Sequence, residues 1–402
     1  MLEMCMTPFH DWLVELRRHF HRHPELAYRE ENTAARICQV LASLDVPYES
    51  GIGRTGVVAR VEAQRPGPIV ALRADMDALP ITELNDVPYR SVNHGRMHAC
   101  GHDGHMTIAL GVARRLQQTG WRQWGRGAVL LVFQPAEEGG AGAKAMLENG
   151  FRDQNNIQAI LAGHLHPELP TGQIGISEGV TNAASDTIHI RLEGRGGHGA
   201  HPHLCIDPIV GGACLVGALQ SIISRNIASS ERAVLTVGRF HAGSATNIIP
   251  EEAILEGTLR TLSPEVRNQV VDRVHQVVQG IAAAHGLKAD VTITPGYPLV
   301  VNDTHLVRLI SREAEQVLGE GNVHSQEARM GSEDFAYFLQ RYPGVLLRLG
   351  CHDPEKGFRH GLHSPYFDMD ERALDVGVTL FTHMLQRLID LLGTEEEETS
   401  IA

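Results

Sequence analysis

Ile69-Val70-Ala71-Leu72-Arg73-Ala74-Asp75-Met76-Asp77 passes without a break from an apolar run into a charged cluster. Four apolar residues in succession fit a short strand buried on both faces, as the strands of parallel sheets are. The same passage recurs twice. Residues 128–133 run into Gln134-Pro135-Ala136-Glu137-Glu138-Gly139-Gly140, and residues 159–162 end at Gly163-His164. Helical periodicity over 106–117 and 141–149 separates these runs, so strands alternate with helices as in a doubly wound α/β domain. Open sheets of that kind place their sites beyond the C-terminal ends of the strands, where all three polar clusters fall.

Outward from this centre, the pattern predicts helices over 8–23 and 30–44 and a strand over 55–61. From Asp186 the order changes to strand 187–192, helix 207–224, strands 233–240 and 253–260, helix 264–285 and strand 289–294. That β-α-β-β-α-β order matches a ferredoxin-like α+β module inserted into the α/β domain. After Pro298 the α/β pattern resumes, with helices over 303–318 and 332–340, a strand over 345–349 and a final helix from Asp370, a good N-cap. The expected division is a catalytic domain over 1–185 and 298–392, an inserted domain over 186–297, and a disordered acidic tail over 393–402.

Length and composition bound the function. The 402 residues suffice for two domains and a sizeable core. Thirty-five basic against 48 acidic residues give a net charge of −13, which argues against nucleic acid or an anionic membrane as partner. Residues 1–10 lack a secretory pattern, and apolar runs such as 129–133 are too short to span a bilayer. The six cysteines form no CxxC pair, which fits a reducing cytoplasm.

The chemistry concentrates in His98-Ala99-Cys100-Gly101-His102-Asp103-Gly104-His105. Cys100 and His102, two apart, can reach one cation, and thiolate with imidazole suits zinc and its late first-row neighbours. No second Cys or His pair accompanies them, so this is not a zinc finger, and further ligands must come from elsewhere. The adjacent carboxylates Glu137 and Glu138 point in different directions, so one can ligate while the other faces water. Taken alone, such a pair is most often a solvated surface. A lone histidine after a strand, as in Gly163-His164-Leu165-His166-Pro167, is more often structural than a ligand, and the same holds for Gly361-Leu362-His363-Ser364-Pro365. Together the four clusters supply a thiolate, three imidazoles and a carboxylate, a set that suits two metals with open positions.

Residues 73–80, 98–105, 134–140 and 363–367 resemble the M20 metallopeptidase family, most closely its amidohydrolase branch of hippurate hydrolases, N-acyl-amino-acid deacetylases and auxin-conjugate hydrolases. Residues 17–26 and 331–335 resemble that branch too, and the likeness spans nearly the whole chain. The resemblance implies a mixed-sheet catalytic domain and two divalent metal ions (zinc, manganese, cobalt or nickel). Cys100 would bridge the metals, His102 and His164 complete one site, and Glu138 and His363 the other. Glu137 would be the general base and Asp75 the carboxylate that orients the site. Arg73 stands where the peptidase branches carry a ligating His, which favours an amidohydrolase. The resemblance also implies a homodimer through the inserted domain, with His198 stabilising the oxyanion near the partner subunit's metals. It implies too that Asn247 and Arg260 hold the substrate carboxylate. A turn residue and a solvated strand end are the plainer readings of those two.

Other histidines are set aside. His19, His21 and His23 lie two apart on a helix and face different ways. His105 is expected to support the metal loop from behind, and His201 and His203 to lie on the surface. The expected activity is cleavage of an N-acyl (acetyl or aroyl) amino acid. A dipeptidase or carboxypeptidase is the rival within enzymes, and a non-catalytic binding protein the rival outside them.

Overall fold

The computed structural model describes residues 8–151, 156–353, 355 and 360–401. Residues 1–7, part of the stretch read for a secretory signal, lie outside it. The chain divides into two compact units: Met1–Gly179, Val301–Glu327 and Asp334–Ala402 form one, and Val180–Val300 with Ala328–Glu333 the other.

The first unit is built on an eight-stranded mixed sheet. Its strand order is Tyr48–Ile52, Gly56–Glu62, Arg126–Gln134, Arg65–Asp75, Ile157–Pro170, Gly344–His352, Ile174–Gly175 and Val323–His324. The central four strands, from Arg126–Gln134 to Gly344–His352, run parallel. The runs from which the fold was read lie here, and Val129, Leu131, Val132, Phe133, Val70 and Leu161 are completely buried. Each such side chain removed from water contributes roughly 1.5–3 kcal/mol before entropy is charged against it. Register aligns Asp75 with Gln134, so the charged ends of two neighbouring strands emerge together.

Several boundaries differ from expectation, each for a local reason. The helix expected over 106–117 spans His102–Gln118. Gly101 opens it at φ +83°, a left-handed turn that glycine adopts freely, and this puts His102 in the first turn. The strand expected to end at Ala162 continues to Pro170, pairing with Gly344–His352, so His164 lies within it. The helix expected over 332–340 shrinks to Ala336–Leu339, because the Asp334 carboxylate is claimed by Arg73, Gln134 and the Ala143 N–H. The last helix runs Arg372–Ile401. Residues 393–401 of the stretch expected as a disordered tail therefore continue that helix, consistent with glutamate's good helix propensity and the lack of proline there, and residue 402 lies outside the described residues.

The second unit carries a four-stranded antiparallel sheet in the order Ala233–Ala242, Glu252–Thr261, Ala184–Glu193, Lys288–Pro295. Helices Pro208–Asn226 and Pro264–His285 pack with it around Ile188, Ile190, Leu192, Leu215, Leu219, Leu255 and Val274. Asp207 and Ser263 cap those helices by accepting the N–H of Ile209 and Val266. Pro208–Asn226 is long and apolar enough to cross a membrane by composition, a feature the search for apolar runs missed; Leu215, Leu219 and Ile222 place its buried side in this core. Residues Ala328–Glu333, assigned by sequence to the resumed α/β domain, belong to this unit. The Arg329 N–H donates to the Thr181 carbonyl, and the Ala183 N–H to the carbonyls of Arg329 and Gly331.

Candidate metal centre

In the first unit the four polar clusters converge. Cys100 Sγ lies 3.5 Å from His164 Nε2, and His363 Nε2 lies 3.4 Å from a Glu138 oxygen. The potential ligand atoms of Cys100, His102 and His164 fall within 4.8 Å of one another, as do those of Cys100, Glu138 and His363. Cys100 belongs to both groups. His102, Glu137 and Glu138 form a third group of the same size.

The hydrogen bonds sort the histidines. Backbone carbonyls take Nδ1–H of His102 (Asp77, 2.7 Å) and of His164 (Leu165, 2.8 Å), which leaves the Nε2 lone pair of each for a cation. His102 Nε2 and Glu138 Oε1 are buried and make no close hydrogen bond, each facing only a longer-range ion-pair partner, Asp75 at 3.5 Å and His363 at 3.4 Å. Uncompensated polar atoms of that kind are costly unless a further group engages them. His105 has no such freedom. Its Nδ1 binds Asp75 at 2.5 Å and its Nε2 accepts the Leu165 N–H at 2.8 Å, as expected of a residue supporting the loop from behind.

The charges tell the same story. Burial, with the Glu138, Glu137 and Asp75 carboxylates, pushes the Cys100 thiol well above its ordinary range. Burial opposes protonation of His102, but Asp75 and Asp77 outweigh it and raise the imidazole to about 10. Burial and the neighbouring His105 hold His164 well below its usual range. A thiol, carboxylates and imidazole nitrogens gathered at one place form a donor set whose protons divalent cations displace on binding, so the residues present fit two such ions.

Asp77, which the sequence reading passed over, organises the carboxylates. One oxygen accepts the Glu137 N–H at 3.0 Å and the other the Glu138 N–H at 2.9 Å. Asp75, expected to orient the site, takes Arg73 Nη1 at 2.7 Å, binds His105, and lies 3.5 Å from His102 Nε2. Buried Arg73 spans Asp75, Gln134 and Asp334, and the Asp334 N–H points at Glu137 at 3.4 Å. Ala136 and His363 hold left-handed backbone at φ +52° and +65°. Such conformations cost about 1–3 kcal/mol in a non-glycine residue and cluster at functional sites. The His363 N–H donates to the Ala99 carbonyl at 2.8 Å, tying the last of the four clusters to the first.

The remaining three residues lie on the second unit. His198 and Ile248 are paired in a two-stranded ribbon, where the Gly199 N–H donates to the Asn247 carbonyl; His198 and Asn247 are exposed neighbours. His198 Nδ1 accepts the Ala200 N–H, so in the neutral ring Nε2 carries the proton and can donate. Arg260, at the end of its strand, donates to Ser332 Oγ. His201 and His203 are exposed.

Residues 71–387 match Peptidase family M20/M25/M40. The chain is 39% identical to the N-acetylcysteine deacetylase of Bacillus subtilis over 386 residues, 95% of this chain and 98% of that one. It is 42% identical to the N-acetyldiaminopimelate deacetylase of the same organism over 372 residues, 92% and 96% of the two chains. Among solved structures it resembles the Bacillus subtilis YXEP protein, described as a dinuclear metal-binding peptidase of the M20 family. That match has a TM-score of 0.82 and 34% identity, covering 95% of this chain and 99% of that one.

Proposed function

The chain belongs to peptidase family M20/M25/M40, and within it we propose a metal-dependent amidohydrolase that cleaves an N-acyl (acetyl or aroyl) amino acid to a carboxylate and a free amino acid. The observation that carries this reading is the convergence of Cys100, His102, Glu138, His164 and His363 beside a second carboxylate, Glu137, whose backbone Asp77 fixes.

Cys100, His102 and His164 would hold one divalent ion, and Cys100, Glu138 and His363 the other, with zinc, manganese, cobalt and nickel all suited to the donors. Held by these residues, such ions would supply Lewis acidity toward the scissile carbonyl and toward water. Glu137 takes the proton of the attacking water and passes it to the leaving amine. Its N–H is anchored by Asp77, so the carboxylate starts from a set position. His198 donates Nε2–H to the developing oxyanion across a homodimer formed through the inserted unit, where one well-placed donor is worth roughly two orders of magnitude in rate. Asn247 and Arg260 hold the substrate carboxylate, Arg260 by its guanidinium fork. A small-molecule substrate, a cytoplasmic setting and a protein bound to neither nucleic acid nor membrane complete the reading.

A side-by-side assay of N-acetyl amino acids, hippurate and dipeptides, repeated with each metal after chelation, tests it. Turnover of the N-acyl amino acids well above that of the dipeptides is the expected result. Preference for dipeptides would overturn it in favour of the peptidase.

A further inference from the structure

On the outer side of the first helix, Pro8–Arg22, lies a cleft of about 510 Å³ that the metal centre does not use. Its walls are that helix, Arg36 from the helix Glu31–Ser43, and Pro88-Tyr89. The inward face of the first helix is spent on the core through Leu13, Leu16, Arg17, Phe20 and His21. His21 binds Asp103 and Glu83, while His19 and His23 stack one turn apart on the outer face at 4.8 Å.

The cleft is electrically lopsided. Asp11 and Glu15 lie toward the start of the helix, Arg18, His19, Arg22 and His23 toward its end. Arg18 is neutralised by a two-bond pairing with Glu371. Arg22 and Arg36 are not: Arg22 donates to the Pro88 carbonyl and Arg36 Nη1 to the Gln39 amide oxygen. Arg36 Nε is buried with no partner. Two guanidinium groups thus face one concave space without a carboxylate to meet either among the described residues. His19 is held below its usual range first by burial and then by Arg36, His23 and Arg22, against the opposing pull of Glu15.

We propose that this cleft is a second ligand site, taking a small organic anion whose phosphate or carboxylate oxygens are gripped by Arg22 and Arg36. Guanidinium forks match both groups in geometry and charge, and the volume admits a metabolite-sized molecule.

The test titrates the metal-loaded enzyme with inorganic phosphate and with tricarballylate. Calorimetry on the wild type and on Arg22→Gln/Arg36→Gln separates binding at the cleft from binding at the metals, which both proteins share. Proton NMR of the His19 and His23 rings in the wild type reports the cleft directly. The expected result is saturable binding of one or both anions, weakened at least ten-fold in the double variant. The His19 and His23 resonances should move with the same saturation, and kcat/KM without added anion should be unchanged. The arm that binds more tightly identifies phosphate or carboxylate as the natural group. Equal binding by the double variant would overturn the proposal. So would ring shifts that potassium chloride reproduces at matched ionic strength, and that result stands even if the double variant fails to fold.

Discussion

Asp77 accepts the backbone N–H of Glu137 at 3.0 Å with one carboxylate oxygen, and its other oxygen takes the next N–H along the chain. A single buried side chain thus fixes the backbone from which both Glu137, the proposed general base, and Glu138, a proposed metal ligand, project. Asp77→Ala would leave two buried donors unpaired, at about 1–3 kcal/mol each. We expect a lower melting temperature and, in the protein that remains folded, a fall in kcat of roughly 10–100-fold, the range seen when groups that orient metal ligands are removed. Unchanged kcat at full metal content would refute the positioning role.

Glu137→Gln keeps the shape of the side chain and removes its basicity. Metal content should be unchanged while kcat drops by roughly two to four orders of magnitude. Elemental analysis and steady-state kinetics on one preparation read both quantities, and an active variant would dismiss Glu137 as the base.

Cys100→Ala deletes the donor common to both ligand groups. Metal per chain should fall for both sites together, whereas His363→Ala should empty chiefly the site shared with Glu138. Full stoichiometry in Cys100→Ala would show that the thiol does not bridge.

Arg73 is buried between Asp75 and Asp334. Removing one partner of a buried ion pair strands the others, so Arg73→Ala should cost on the order of 3–5 kcal/mol in urea unfolding. Arg73→Lys should recover little, because one ammonium cannot serve Asp75, Gln134 and Asp334 in a fixed fork.

His21 supplies a pH dependence. Burial and Arg17 oppose its protonation, but hydrogen bonds to Asp103 and Glu83 prevail and raise its pKa above the ordinary 6.5. A raised folded-state pKa means the ring's contribution is complete below about pH 6.5 and is lost as pH climbs through the folded value. Denaturation curves at pH 6, 7, 8 and 9 should show the wild type losing stability against His21→Gln across that window. Parallel curves would mean that His21 is neutral in the fold.

Much of this was legible because polar clusters at the ends of apolar runs carry topology and chemistry at once. Cys100, Glu138, His164 and His363 each sit in a short glycine- or proline-flanked stretch that stands out from its surroundings. Asp77 was not legible: its work is done on backbone groups sixty residues away, and beside Asp75 it looked redundant. Nor was the bond between Arg73 and Asp334, which joins a strand to a loop 261 residues further along the chain. The division of labour among the histidines follows from which ring nitrogen the backbone occupies, and no spacing rule encodes that. The shortened helix after Ser332 shows propensity yielding to a tertiary carboxylate.

The hydrogen bond from the His363 N–H to the Ala99 carbonyl joins the first ligand segment to the last. On a ribosome those segments are made far apart in time, and the earlier one must wait with its thiol and carboxylates unmatched. A chain lacking the final loop would also lack the helix Arg372–Ile401 that follows it, whose Leu374, Val378, Phe381 and Leu385 fill the core. Site and core are therefore closed by one late stretch of sequence, and neither can be complete without the other.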